Sequence, residues 1–235
     1  MIRLGAAVGI VAAMLSWPAS AGAQGSRAPE DPALEPTLDT PGVPRVLLLG
    51  DSISIGYTLG VRARLRGLAN VHRPPENCED TAKGLAKLDA WLGSERWAVI
   101  HFNFGLHDLK YLDASGRYVP PDQGTQVATL ARYESNLRAI AVRLRRTGAR
   151  LIFATTTPVP AGSRGRVEGD EVRYNDVALR VMKENGIAVD DLHAIVAAQR
   201  ELQQPENVHL TSDGYRSLAE AVAASIAASL PKAPR

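Results

Sequence analysis

The chain reads as an α/β protein built on a parallel sheet with helices on both faces, and three observations predict that class. From residue 45 onward, short apolar runs of strand length alternate about five times with longer amphipathic stretches. Those stretches are long enough to be the crossovers that parallel strands require, and crossovers cover the sheet they connect. The composition, 45% hydrophobic and 22% charged with 20 Gly and 15 Pro, fits one ordinary globular domain rather than a collagenous or low-complexity chain.

The elements follow in order. A strand over 46–49 leads into a helical pattern over 53–68, and a short strand is expected at 70–73. Leu85, Leu88 and Leu92, at spacings of three and four, predict a helix over 82–92, and the run 97–104 reads as a fully buried strand. A polar loop through Gly116, Pro120 and Pro121 precedes the longest helix, 125–147, which Gly148 ends. Residues 150–156 form a strand closed by Pro158 and Pro160. A Gly/Arg-rich loop over 162–169 then leads to a helix ending near 185, a strand at 187–190, a short helix, and a last helix over 213–230.

The chain before this domain has its own pattern. Arg3 is followed by an apolar run over 4–17 and then by small residues, the pattern of an export signal. Cleavage fits after Ala21 or after Ala23, so 1–23 is assigned as signal peptide and the mature protein is expected to be periplasmic or secreted, without stable membrane insertion. The run is short for a membrane span, which takes about 20 apolar residues. Residues 24–44 carry Pro29, Pro32, Pro36, Pro41 and Pro44 with few large apolar side chains, so an extended leader is expected there, with the folded domain over 45–235. Cys78 is the only cysteine and cannot pair within the chain. With Glu76, Glu79 and Asp80 as near neighbours, its thiol is not set up as a nucleophile.

Charge excludes some partners. Lys plus Arg (27) nearly balances Asp plus Glu (25), a formal net charge of +2 that predicts no nucleic-acid groove. At 5% aromatic residues the chain offers no stacking platform for single strands. A small-molecule or saccharide ligand in a small pocket fits better.

In a parallel sheet the chemistry belongs at the carboxyl ends of the strands. Gly50, Asp51, Ser52, Ile53 and Ser54 stand at such an end, between the first strand and the first helix. There the Ser52 hydroxyl is exposed, and its own N–H at the helix start can stabilise an oxyanion. Asp51 or Ser52 also fits a plain helix cap. His209, in a loop before the last helix, supplies an imidazole able to take the serine proton near neutrality. Glu206, three residues earlier, can hold that ring as the acidic member of a triad does.

These blocks, taken in order from about residue 45 to 230, resemble the SGNH (GDSL-type) hydrolases. Gly50, Asp51 and Ser52 look like the first block, with Ser52 as nucleophile. Gly84 resembles the second-block glycine whose N–H joins the oxyanion hole. Gly105, Leu106, His107 and Asp108 look like the third block, and Glu206 through His209 like the last. The resemblance implies a three-layer α/β/α sandwich, flavodoxin-like, with about five parallel strands, and hydrolysis of an ester or related acyl bond through an acyl-serine intermediate. Two positions depart from the family pattern. His107 stands where Asn is usual, and an imidazole N–H can still donate to an oxyanion, as can Asn103 four residues earlier. Glu206 stands where Asp is usual; it reaches one methylene farther, or the ring is held instead by a backbone carbonyl.

The expected function is therefore an exported serine esterase needing no cofactor. Ser52, His209 and Glu206 are its catalytic candidates, and Ser52, Gly84 and His107 its oxyanion hole. Asp51, Asn103, Arg164 and Arg166 are candidates for substrate contact, because the loop carrying the two arginines and Arg173 follows a strand end on the catalytic side. Short acyl esters, O-acetyl groups on carbohydrates above all, come from the resemblance and from the lack of a large apolar lid. Lysophospholipase, thioesterase or acyltransferase chemistry fits the same residues. The competing class is a non-catalytic carbohydrate- or ligand-binding protein on the same fold. His101, Asn103 and His107 lack a zinc-protease spacing, and His101 and Asn103 alternate along a buried strand, so no metal is expected.

Overall fold

The computed structural model describes Met1 and residues 31–231. The apolar segment 4–17, both cleavage positions and the first part of the leader lie outside the described residues. Among the described residues no helix is long and apolar enough to cross a membrane.

Five parallel strands form the central sheet. They are β1 (Arg45–Leu49), β2 (Asn70–His72), β3 (Val99–Phe102), β6 (Arg150–Ala154) and β7 (Ala188–Asp190), in the order β2-β1-β3-β6-β7. A separate antiparallel pair, β4 (Tyr111–Leu112) and β5 (Thr125–Gln126), lies between β3 and the longest-loop crossover. The helices are α1 (Ser52–Arg64), α2 (Thr81–Leu92), α3 (Leu130–Arg145), α4 (Glu171–Asn185), α5 (Leu192–Ala198) and α6 (Ser212–Ser229). α1, α5 and α6 pack together on one face, and α2, α3 and α4 on the other, giving the expected three-layer sandwich. Strand order reverses between β1 and β3, and at such a point the loops after neighbouring strands diverge and leave a crevice.

Local chemistry sets the helix starts. Asp51 accepts from the Ile53 N–H at the head of α1, Asp80 from the Ala82 and Lys83 N–H groups at α2, Thr129 from Arg132 at α3, and Thr211 from Gly214 at α6. The close approach of α1 to α6 rests on small residues. A Cβ on Gly56 would lie 2.2 Å from the Tyr215 ring, and one on Gly60 would lie 2.6 Å from Ala219 Cβ, so neither position admits a side chain without moving α6. The core strands are mostly apolar inside, with Val46, Leu48, Leu49, Val99, Ile100 and Phe102 wholly buried and His101 as the buried exception on β3.

Three expectations change. The segment 125–147 is not helical throughout, because residues 125–126 pair with β4 and α3 begins only after the Thr129 cap. The first helix stops at Arg64 rather than 68, in a turn where Gly67 adopts φ 77. The boundary at residue 45 is also too late. Ala33 is buried, Thr37 donates to the Val71 carbonyl, and Asn70 exchanges hydrogen bonds with Thr40 and Val43, so the leader from residue 31 is strapped along β2. Its prolines do not need a sheet ladder to dock, since the Asn70 and Arg62 side chains of the domain meet backbone groups of Pro32, Glu35, Thr40 and Val43.

Candidate active site

Ser52 is the first residue of α1, directly beyond the carboxyl end of β1. Its Oγ lies 2.9 Å from Nε2 of His209, 157 residues later in the chain. On the far side of the ring, Nδ1 lies 2.8 Å from Asn207 Oδ1, which also accepts the His209 backbone N–H at 3.0 Å. An amide oxygen can only accept, so Nδ1 carries the ring proton and Nε2 is left bare towards Ser52, the tautomer a general base needs.

The ring is thus oriented by Asn207 and not by Glu206. Glu206 adopts φ 54, and this turn sends its exposed side chain to Gly162 while presenting that of Asn207 to the imidazole. The turn is fixed from both sides. Gln204 accepts from the Asn207 amide nitrogen and donates to Leu210, while Gln203 donates to the Pro158 and Val208 carbonyls.

The nucleophile turn is pinned more tightly. Arg73, buried, donates to Ser54 Oγ and Thr58 Oγ1, each at 3.0 Å, and to the Gly50 carbonyl at 3.3 Å, which also accepts from the Cys78 N–H. Burial lowers the guanidinium pKa, a cost these acceptors offset. Asp51 is fully buried. Its Oδ1 caps α1, and desolvation raises its pKa, so it is a support beneath Ser52 with no access to substrate. Cys78 is buried and its thiol pushed up to about 11, which fits a packing role.

Ser52 N–H stands in the first turn of α1, where it has no hydrogen-bond partner among the described residues and is free for an oxyanion. Gly84 is not its companion. The Gly84 N–H donates to Asp80 within α2 at 2.9 Å, and its Cα packs against Phe104 and Ile140, where a Cβ would lie 2.8 Å from the Phe104 ring. In its place, Asn77 from the loop between β2 and α2 lines the pocket with Ser52. Its Oδ1 accepts from Glu79 N–H, leaving the amide nitrogen available. His107 lines the same pocket. Its Nδ1 lies 3.0 Å from the Lys110 ammonium, which can only donate, so the ring proton sits on Nε2. Burial, then the charge of Lys110, pushes the His107 pKa down to about 3. The ring is therefore a neutral donor at ordinary pH.

Asn103 is turned away from this pocket. Its amide donates to the Ala154 carbonyl at 2.7 Å and ties β3 to β6 behind the serine. His101 pairs with Asp190 at 3.1 Å in the core. Among the described residues no group of three or more His, Cys, Asp or Glu side chains is arranged to hold a metal. Asp108 is buried against Thr81, with its pKa raised to about 7 by desolvation, and it fastens the third-block loop to the head of α2.

The pocket around Ser52 and His209 has a volume of about 470 Å³ and is also lined by Leu106, Tyr118, Ser163, Arg164 and Arg166. A larger cavity of about 600 Å³, near His193 and Glu171, contains neither catalytic candidate. Arg173 does not face the site; it pairs with Asp170 at 3.0 Å. Tyr118 and Asn77 carried no signal in the sequence, since both reach the pocket from irregular loops. Asn207 did carry one, an Asn two residues before the histidine, where a short polar side chain bonds readily to backbone just ahead.

A five-stranded parallel sheet in the order β2-β1-β3-β6-β7 with a hydrogen-bonded Ser–His pair at its switch point defines an α/β protein with the arrangement a serine hydrolase needs. Residues 48–217 match the sequence profile described as the GDSL-like lipase/acylhydrolase family, and the chain belongs to that family. Solved structures agree on the fold. A lipase/acylhydrolase from Enterococcus faecalis is 19% identical, with a TM-score of 0.66 over 82% of this chain and 100% of its own. An acetylxylan esterase from Geobacillus stearothermophilus is 17% identical, with a TM-score of 0.64 over 78% of this chain and 94% of its own. A GDSL-like lipase from Bacteroides thetaiotaomicron is 14% identical, with a TM-score of 0.61 over 79% of this chain and 89% of its own. No curated protein matches the chain.

Proposed function

We propose that the protein is a serine esterase that hydrolyses short acyl esters, O-acetyl groups on carbohydrates in particular. The observation that carries this is the relay Ser52 Oγ, His209 Nε2, His209 Nδ1, Asn207 Oδ1, with successive distances of 2.9 and 2.8 Å across the ring. Ser52 attacks the ester carbonyl as His209 takes its proton. The Ser52 N–H, the Asn77 amide and His107 Nε2–H are the donors nearest the place where charge develops. His209 then returns the proton to the leaving alcohol, and a water activated by the same imidazole releases the acid and restores Ser52. Asn207 is neutral, so it fixes the tautomer without adding a negative charge behind the imidazolium, as the Asn of Cys–His–Asn proteases does.

The short acyl group is supported by the pocket itself, whose aliphatic lining is limited to Leu106 and Val208. A long acyl chain would leave its methylenes against polar and charged groups, giving up about 0.8 kcal/mol for each CH₂ not buried. The acetylxylan esterase among the structural neighbours supports a carbohydrate alcohol. Export with loss of residues 1–23 belongs to the same proposal and rests on the sequence of that segment.

The test is hydrolysis of p-nitrophenyl acetate, butyrate and octanoate from pH 5 to pH 9 beside a Ser52→Ala control. The expected order is acetate, then butyrate, then octanoate, with the control lower by about 10³-fold or more. Octanoate as the best substrate would make it a lipase. Equal rates in protein and control would leave the family fold without this activity.

A further inference from the structure

One side of the pocket holds more positive charge than the catalytic chemistry uses. Tyr118 lies at the centre of three cations, with Lys110 Nζ 5.3 Å, Arg166 Cζ 5.5 Å and Arg164 Cζ 5.8 Å from its ring centroid. Arg164 and Arg166 line the pocket beside Ser52 and His209, and Lys110 stands behind it, buried. None of the three makes an ion pair among the described residues. Two nearby arginines do. Arg117, one residue from Tyr118, pairs with Asp113 at 2.9 Å, and Arg173, in the first turn of α4, pairs with Asp170. The two that have a carboxylate partner do not line the pocket, and the two that line it have none among the described residues.

Gathering like charges without a counter-ion costs Coulomb energy, more so where water is partly excluded. Arg166 is held regardless. Its Nε donates to the Leu106 carbonyl at 3.0 Å and one amino group to the Arg164 carbonyl at 3.3 Å, and the Tyr118 hydroxyl is a further side-chain partner, so all that holds it is neutral. Ser163 adds an independent sign. It is 6% exposed, lines the same pocket, and its Oγ has no hydrogen-bond partner. A buried hydroxyl without a protein partner calls for one, which a bound ligand or an ordered water supplies. Glu206 is the one carboxylate lining this pocket among the described residues, and it pairs with neither arginine.

We propose that Arg164, Arg166 and Ser163 recognise an anionic group, a carboxylate or a sulfate, carried on the alcohol side of the ester. The substrate class is then an acylated acidic saccharide, such as an O-acetylated uronic acid, rather than a neutral one. The planar guanidinium forks suit the paired oxygens of either anion, and the acyl group keeps its own place at Ser52. This inference rests on the esterase reading.

The experiment compares acetate release from O-acetylated methyl glucuronide, its neutral uronamide, and an O-acetylated methyl glucoside bearing a sulfate. The expected kcat/KM is about tenfold higher for at least one anionic ester than for the uronamide, and the preference shrinks as salt is raised. The anion with the larger preference identifies which group the arginines hold. Arg164→Gln brings the ratio of anionic to neutral substrate towards one through KM, and Arg164→Lys keeps part of it. Turnover with equal kcat/KM for acid, sulfate and amide overturns the inference while leaving the esterase reading intact. If no ester is turned over, the esterase reading fails, and calorimetric titration with methyl glucuronide against its uronamide decides the anion site separately. Binding of the acid alone, weakened in Arg164→Gln, keeps it; equal binding or none overturns it.

Discussion

The two halves of the proposed relay are built in opposite ways. Ser52 stands on a turn between β1 and α1 whose supports are buried: Asp51 beneath it, and Arg73 with three acceptors around it. His209 stands on a loop whose residues 204–206 are exposed, and whose shape depends on Glu206 at positive φ and on side-chain bonds from Gln203 and Gln204. Ser52 is thus fixed by the sheet, and His209 by a local turn. Backbone in a left-handed conformation outside glycine is costly and persists only where surroundings impose it. The other non-glycine residue at positive φ among the described residues, Glu79, follows Asn77 at the mouth of the same pocket.

This difference can be broken at either end. The largest effect is expected from Arg73→Met, which removes the donor to two buried hydroxyls and one of the two donors to the Gly50 carbonyl, and costs about 3 kcal/mol of stability by denaturant unfolding. A loss under about 1 kcal/mol would mean that the turn holds itself.

On the histidine side the effect falls on turnover instead. Asn207→Ala is expected to lower kcat about tenfold, the worth of one orienting hydrogen bond, with KM and unfolding midpoint little changed. Glu206→Gln is expected to keep kcat within about twofold, since its carboxylate does not reach the ring. Asn207→Asp should retain activity or raise it by placing a charge behind the imidazolium. The reverse ranking of Asn207 and Glu206 would return the orienting role to Glu206.

A last effect, near zero at neutral pH and growing only as pH falls below 6.5, is a pH dependence of stability at the pocket wall. His107 is held neutral to about pH 3 by burial and Lys110, while its ordinary value is 6.5. Unfolding takes up a proton between those values, so this contribution is present above 6.5 and lost as pH falls towards 3. Asp108 works in the opposite sense. Raised from 3.8 to about 7 by burial, its contribution is present below 3.8 and lost as pH rises through 7. His107→Asn removes only the first term. Its Tm relative to the parent protein is expected to improve steadily from pH 6.5 down to pH 4, and a flat difference over that window would show that the imidazole titrates normally.

The same contrast explains what could be read from the sequence. The alternation of strands and helices and the parallel sheet follow from apolar periodicity, Ser52 is singled out by the rule that reactive residues gather at strand ends, and the flavodoxin-like arrangement is what the family resemblance implies. Gly84 was placed wrongly because a glycine near a helix start looks the same whether its N–H is free or bonded within the helix, and only α2 beginning at Thr81 decides that. Glu206 and Asn207 differ by one position in a loop, and which of them faces the imidazole is set by one φ angle that no spacing rule contains. Tyr118 is placed beside the two-residue strand β4 by a single isolated bridge to Leu112, and elements that short leave no periodic trace. The docking of residues 31–44 is hidden for a related reason, since it uses single side-chain bonds rather than a pattern.

The account turns on Ser52 being activated by His209. The direct measurement is treatment of the folded protein with diisopropyl fluorophosphate, followed by peptide mass mapping of the parent protein and of His209→Ala. The account predicts a single adduct on Ser52 in the parent protein and its loss in the variant. Equal labelling of both proteins, or an adduct at another serine with Ser52 unmodified, would contradict it.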